Sequence, residues 1–327
     1  MSSSPATDRT DYDAFLATSR QRTIFAEGWW LDAATGSAEA WRPNLLRDDA
    51  GAVRAAWPLA TREWRLGDIG AGARYTPFLG PQLPAKGSNA ADQASADVAL
   101  LDDLATSLHL YEHVEAACAP ELDYWTPLHW HDYTQTTRTT WRIDAGQSLD
   151  EVRAGLRSER KRNLKAATAA EFVAGTGTID DLLTACAATF ERQEADVPGE
   201  VVLRRLAEAA LERGRGEVLT VRTASGELAS AGLFVFDDRW TWNLANGHLE
   251  VDGGQRGAPT LLQWTAIEHA LARGTGFDFE GSMIRPIERF VRGFGGRPVS
   301  YSVVRRSSPD WARTVARKRL VKRLLRR

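Results

Sequence analysis

Stretches with an apolar residue every three or four positions alternate along this chain with stretches where every second residue is apolar. That succession predicts an α/β protein. Phe25 to Asp32 reads as a helix carrying aromatics toward a core. Asn44 to Leu59 reads as a hairpin, two apolar runs around the turn signal Asp49-Ala50-Gly51. A third segment, Trp64 to Ile69, leads into Tyr75-Thr-Pro-Phe-Leu-Gly-Pro81, where two prolines and a glycine exclude a regular central strand. Pro84 to Ala96 is small and polar and reads as the least ordered interior stretch. Val98, Leu101, Leu104 and Leu108 mark a helix from Val98 to Leu110. Tyr111 to Cys118 and Thr137 to Ile143 alternate as strands.

The second half repeats this order. Ser148 with Glu151 three residues on forms a capping box, and the helix it opens is expected to pass into Arg157–Ala167. Thr178 opens a helix to Gln193, and Val201 to Arg213 forms another. Gly216–Arg222, Leu228–Phe236 and Arg239–Gly247 predict a three-strand antiparallel meander, turning at Ser225-Gly226 and Asp237-Asp238. Leu262, Ala266, Ile267 and Leu271 share one face of a helix from Pro259 to Ala272. Phe277-Asp-Phe-Glu280 then reads as a strand, and Pro298 to Arg305 as the last one. The repeated order predicts two domains, 1–145 and 146–306, with a basic amphipathic tail helix at 307–327.

A length of 327 residues suits two domains, and 43% hydrophobic with 26% charged residues is ordinary for a soluble protein. Cys118 and Cys186 lie far apart without metal-ligand spacing, as expected of buried thiols in a reducing compartment. The polar N-terminus lacks an apolar signal region, and no run of 18 apolar residues occurs. A cytoplasmic protein without a transmembrane segment is the expectation. The net charge of −2 hides an asymmetry: Arg305 to Arg327 holds ten Lys/Arg and one acid, Asp310, which leaves about −11 for the rest. A basic end on an acidic body predicts an anionic partner, whether nucleic acid, phospholipid or a phosphorylated substrate.

Five strings, in order, carry a resemblance: Phe25-Ala-Glu-Gly-Trp-Trp-Leu31, Tyr75-Thr-Pro-Phe-Leu-Gly80, Ser158-Glu-Arg-Lys-Arg-Asn-Leu-Lys-Ala-Ala167, Ala258-Pro-Thr-Leu-Leu-Gln-Trp-Thr-Ala-Ile267 and Phe277-Asp-Phe-Glu-Gly-Ser-Met283. Together with the element order they resemble the GNAT-like acyltransferases of the FemAB type. The resemblance implies two tandem GNAT-like domains with mixed central sheets, transferring an acyl group to a small-molecule or peptide amine. No cofactor beyond the acyl donor is implied. FemAB proteins proper take an amino acid from aminoacyl-tRNA, whereas ordinary GNAT enzymes take an acyl group from acyl-CoA.

The donor loop separates those two. Acyl-CoA enzymes cradle pyrophosphate with Gln/Arg-x-x-Gly-x-Gly/Ala at a helix N-terminus. Here the corresponding region is Asp252-Gly-Gly-Gln-Arg-Gly-Ala-Pro-Thr260. Three residues on from Gln255 stands Ala258, and from Arg256 stands Pro259, which has no N–H to donate. Asp252 would repel a phosphate. The loop is degenerate, which favours aminoacyl-tRNA over acyl-CoA as donor. A non-catalytic binding protein that kept the fold is the third alternative.

Among single residues, Glu280 on an aromatic strand would have its pKa raised by desolvation and could serve as general base; it could equally pair with Arg285 or Arg289. Asp278, two residues earlier on the same strand face, would share its site. Arg285, Arg289 and Arg292 share one side if helical, as phosphate holders or as a solvated face with Glu288. Arg160, Lys161, Arg162 and Lys165 either contact donor phosphates, along with Arg256 and Thr260, or line a solvated helix. Trp240 and Trp242 on one face, with Asn243 and Asn246, either floor an acceptor pocket or pack in the core. The resemblance adds Tyr75 and Ser282 to the substrate-binding candidates. His129 and His131 lack a third ligand at a convincing spacing, so no metal is expected. The tail, with Trp311, Val315, Leu320, Leu324 and Leu325 among its cations, is expected to bind tRNA phosphates or an anionic membrane surface, or to pack on its own domain.

Overall fold

Short polar signals set many of the element boundaries. Asn89 caps a helix by accepting the N–H groups of Ala91 and Asp92. Ser148 and Glu151 cap one another's backbone as a complete capping box, and Thr178 with Asp181 repeats the device. The computed structural model describes residues 5–65, 67–85, 89–191, 199–251 and 257–324. The chain divides into two compact units, Met1–Thr137 with Tyr301–Arg327, and Arg138–Ser300, so the C-terminal segment counts with the first.

The first unit contains α1 (Pro5–Leu16), α2 (Gly28–Thr35), β1 (Trp41–Arg42), the hairpin β2 (Leu45–Arg47) and β3 (Val53–Ala56), β4 (Leu59–Trp64) and β5 (Gly67–Ala71). It continues with α3 (Ala90–Ser107), β6 (Tyr111–Ala117) and α4 (Thr126–Trp130). The strand β7 (Thr134–Ile143) begins here and ends in the second unit. The second unit then has α5 (Leu149–Gly155), α6 (Ser158–Ala169), β8 (Val173–Thr176), α7 (Ile179–Glu191), α8 (Glu200–Glu212), β9 (Gly216–Arg222), β10 (Leu228–Phe236) and β11 (Trp240–His248). After these come α9 (Ala258–Arg273), β12 (Gly276–Asp278) and α10 (Arg285–Arg292). The strand β13 (Arg297–Ser307) returns the chain to the first unit, which ends with α11 (Pro309–Leu324).

Each unit has a mixed sheet. In the first the order is β1-β4-β5-β6-β13, parallel only between β5 and β6. In the second it is β7-β12-β11-β10-β9-β8, parallel only between β11 and β12, the pair bridged by α9. The first core is built on Trp57, Leu59, Leu101, Leu104 and Tyr133, with Trp57 stacked on Tyr133 at 5.8 Å. The second is built on Phe234, Leu262, Ile267, Phe277, Phe279 and Phe294. Both cysteines are buried and free, and burial pushes their thiols up to about 12 for Cys118 and about 11 for Cys186.

Three expectations fail locally. Ala90 to Ala96, expected to be poorly ordered, is the start of α3, because the Asn89 cap and a run of alanines outweigh its low hydrophobicity. The helix opened by Ser148 does not run through to Ala167; it breaks at Leu156 and Arg157, both at extended ψ, as the Arg157 N–H leaves the helical ladder to donate to Gly293 O at 3.0 Å. The strand expected to reach Glu280 ends at Asp278, since Glu280 takes a left-handed φ of 59°.

Candidate functional site

The site begins where β12 ends. Alternation along this strand sends Phe277 into the core and Asp278 to the other side, where its register partner is Arg142 on β7. Asp278 is fully buried. Its Oδ2 accepts from Arg142 Nε at 2.7 Å, and its Oδ1 accepts from the Thr140 hydroxyl and from the Glu280 N–H, the latter at 2.8 Å. The Arg142 guanidinium lies 4.2 Å above the Trp240 ring. Burial pushes the Asp278 carboxyl upward, and Arg142, Thr140 and the Glu280 N–H work against that shift.

Glu280 and Gly281 follow with φ of 59° and 65°, two consecutive left-handed residues that turn the chain sharply. A Cβ on Gly281 would stand 2.2 Å from Thr139 O, so only glycine lets the turn press against β7. The turn leaves Glu280 half-buried, with Oε1 shielded from solvent and without a hydrogen-bond partner among the described residues. Burial, reinforced by the Asp278 charge, raises its carboxyl well above the ordinary 4.5. Glu280 forms no ion pair with Arg285 or Arg289 among the described residues. A desolvated carboxylate with a vacant acceptor atom can take a proton from a bound amine.

Beside it the parallel pairing ends. β11 and β12 pair only from Trp240↔Gly276 to Trp242↔Asp278, yet β11 runs on to His248. Across β10 the register passes from Phe234↔Asn243 to Leu233↔Ala245, so Leu244 is an extra residue, a bulge in β11. The bulge resets the alternation, and Asn246 Nδ2 reaches Asn243 Oδ1 at 3.0 Å. Simple alternation would have put those two asparagines on opposite faces.

The other expected residues scatter. Trp242 is fully buried in the core, while Trp240 packs under Arg142. Ser282 is half-buried in the turn, and its Oγ accepts the Ile284 N–H. Tyr75 belongs to the first unit, half-buried at a φ of 55°. Arg285, Arg289 and Arg292 do fall on α10 and are exposed; Arg292 pairs with Glu288 at 3.1 Å and Arg289 approaches Glu159 at 3.7 Å.

Arg160 corrects the reading of the basic run. It is neither solvated nor free for phosphate: it is 5% exposed, pairs with Glu159, donates to Thr260 Oγ1 at 3.2 Å and lies 4.5 Å from the Phe290 ring centre. Burial lowers its pKa. Asn163 donates to the same Thr260 oxygen at 3.3 Å, so Thr260, fully buried, ties α6 to the first turn of α9. Lys161 donates to Ala154 O, and Arg162 and Lys165 are exposed on α6. Arg256 and Asp252 lie outside the described residues.

Thr140 and Arg142 are the site residues that pattern reading missed. Their signal was present: they are two apart on a β-rich strand, and a buried strand arginine requires an acid opposite. Among the described residues no cluster suits a metal ion; His131 Nε2 meets Asp102 at 2.8 Å and His129 packs beside Trp125. An open cavity of about 750 Å³ in the first unit is lined by Arg9, Trp41, Arg42 and Arg47. Asp32 engages Arg9, and Asp8 and Asp11 engage Arg47, so its charge is largely neutralised internally.

With this geometry in place, residues 150–284 match the family model described as an acetyltransferase (GNAT) domain. The match ends just past Glu280 and lies wholly in the second unit. Among solved structures, FemX is similar at a TM-score of 0.66 and 11% identity, covering 92% of this chain and 96% of that one. The C-terminal domain of a protein described as a lysylphosphatidylglycerol synthetase from Agrobacterium fabrum is similar at 0.55 and 10% identity, covering 96% of each chain. A tandem GNAT protein from the clavulanic acid biosynthesis pathway is similar at 0.51 and 13% identity, covering 92% and 94%. At such identities the likeness is one of fold, an α/β architecture shared with tandem GNAT proteins. No curated protein sequence matches the chain. No described helix is long and apolar enough to cross a membrane.

Proposed function

We propose that the chain, whose residues 150–284 match a GNAT domain, is an acyltransferase of the GNAT/FemAB type that transfers an aminoacyl group from aminoacyl-tRNA to a small-molecule or peptide amine, with Glu280 as general base. The observation that carries this reading is the solvent-shielded Oε1 of Glu280, without a hydrogen-bond partner among the described residues and two residues past the end of β12. The acceptor nitrogen bonds to the ester carbonyl carbon while Glu280 takes its proton. The ester C–O bond breaks, and the departing ribose oxygen receives that proton. The barrier is lowered mainly by holding amine and ester in line.

Three features support tRNA as the donor carrier. Pro259 removes an N–H from the first turn of α9, where acyl-CoA enzymes cradle pyrophosphate. Arg162 and Lys165 present cations on α6, which is tied to that turn through Thr260. The synthetase from Agrobacterium fabrum is named for a product carrying a lysyl group. An acyl-CoA donor is the second reading, favoured by the acetyltransferase description of the matching family.

The experiment is a thermal-shift series with acetyl-CoA and with charged tRNA, followed by transfer of labelled amino acid from tRNA into amine-containing extract. Stabilisation by tRNA and label transfer lost in Glu280→Gln are expected. Clear stabilisation by acetyl-CoA would overturn the tRNA reading.

A further inference from the structure

Past Glu280 the chain does something that acyl transfer alone does not require. Of the ten large apolar side chains exposed among the described residues, three fall within five positions: Met283 at 68%, Ile284 at 60% and Ile287 at 45%. They sit on the first turn of α10 and the residues leading into it. The loop that carries them is fixed. Ser282 Oγ accepts the Ile284 N–H at 3.0 Å, and the Glu288 N–H donates to Ile284 O at 2.9 Å.

Helical spacing explains the exposure. Ile284, Ile287 and Val291 recur at intervals of three and four, so one side of α10 carries all three. At its C-terminal end that side enters the core through Val291, at 3% exposure, joined by Phe290 packing against Phe294. At its N-terminal end the same apolar side is left uncovered. The opposite side carries Arg285, Arg289 and Arg292, all exposed. Arg289 and Arg292 face acids on their neighbours, whereas Arg285 has no acidic partner among the described residues.

We propose that the Met283–Ile287 segment is a docking element for an anionic lipid surface, placing the turn at Glu280 against that surface. The apolar side chains enter the acyl boundary, and the arginines on the other side of the helix meet lipid phosphates. The three apolar side chains alone fall short of a standard protein interface. A standard interface buries roughly 800 Å² on each partner, far more than three side chains supply. Exposed apolar side chains beside Arg285, which has no acidic partner among the described residues, are what a charged bilayer complements. The lipid surface here is engaged by the second unit, independently of the basic tail.

The test is flotation of the full chain with vesicles of equal parts phosphatidylcholine and phosphatidylglycerol. The wild type floats. The variant combining Met283→Ser, Ile284→Ser and Ile287→Ser loses at least tenfold in partitioning, with its melting temperature unchanged because all three side chains are solvent-facing. Arg285→Glu weakens partitioning on the same vesicles and has no effect on pure phosphatidylcholine. A tail variant, Arg317→Ala with Lys318→Ala, keeps the apolar-dependent part of binding. Partitioning of the triple variant equal to wild type overturns the proposal, as does failure of the wild type to float. Lipid-free self-association that the triple variant abolishes also overturns it, assigning the face to a second copy. Should the triple variant fail to melt cooperatively, Ile287→Ser alone is compared instead, with a drop in partitioning again expected. No donor or acceptor enters the measurement, so its outcome is independent of the transfer reaction.

Discussion

Asp278 Oδ1 accepts the backbone N–H of Glu280 at 2.8 Å, so a buried carboxylate holds a second carboxylate in its left-handed turn. The two are coupled electrostatically as well. Burial is the main reason the Glu280 carboxyl lies well above 4.5, and the Asp278 charge pushes it higher. Asp278→Asn keeps a carbonyl oxygen for the turn while removing that charge. The acidic limb of kcat/KM against pH should therefore move to lower pH in the variant. An unmoved limb would mean that Glu280 does not report on the rate.

Arg142 is the counterpart of Asp278, and the pair is 3% and 0% exposed. Arg142→Leu leaves a buried carboxylate with only the Thr140 hydroxyl and one N–H. Breaking a buried pair in this way costs about 3–5 kcal/mol. Chemical denaturation of the variant should show a loss of that order, with transfer activity falling in parallel. A loss under about 1 kcal/mol, the level of a surface pair, would contradict the assignment.

Glu280→Gln separates function from stability. Removing a general base should slow transfer by about 10²–10⁴-fold. Stability should move the other way. With the folded pKa raised, the contribution of this carboxyl is fully present below about 4.5, where both states are protonated. It is lost as pH climbs toward the raised folded value, because the unfolded chain releases its proton first. Glu280→Gln removes this loss, so near neutral pH the variant should unfold at a higher temperature than the wild type, with a flatter dependence on pH. A variant less stable than wild type near neutral pH would show that the carboxylate is satisfied in the folded state.

How much of this was legible in the sequence follows from which forces acted. The meander, the α9 face and the capping box at Ser148 depend on neighbours in the chain, and they stand where the pattern put them. So does Glu280 as a desolvated carboxylate, since Phe277 and Phe279 advertise the core beside it. What pattern could not give was tertiary in origin. Arg160 looked like one more cation in a basic run, yet Thr260 and Phe290, some hundred residues on, take it into the interior. Alternation extends the strand toward Glu280 two residues too far, because the left-handed turn at Glu280 and Gly281 lies against Thr139 O, a tertiary contact that local propensity does not encode. The bulge at Leu244 answers to the register of β10 and leaves no mark in alternation.

Gly281 yields a prediction of its own. At a φ of 65° an alanine pays about 1–2 kcal/mol for the left-handed conformation. Its Cβ would also meet Thr139 O at 2.2 Å, which forces the turn away from β7. Gly281→Ala should therefore destabilise by more than about 2 kcal/mol and lower kcat, through displacement of Glu280. If the unfolding midpoint is unchanged, the turn is not pressed against β7.

The tail can be divided by the same reasoning. Trp311 stacks on His113 at 5.0 Å and meets Trp64 edge-on at 4.9 Å, so the first turn of α11 is fastened within its own unit. Arg317 and Lys318, farther along the helix, are exposed. If the donor is carried on tRNA and these two cations touch its phosphates, each contact adds about 0.7–0.9 to the slope of log affinity against log salt. Arg317→Ala with Lys318→Ala should then flatten that slope by roughly 1.4–1.8 in filter binding with bulk tRNA, while leaving the melting temperature in place. Trp311→Ala should do the reverse, lowering the melting temperature through lost packing. A slope that is the same in wild type and the double variant would remove the tail from the RNA contact and leave Arg162 and Lys165 on α6 as the cations to test next.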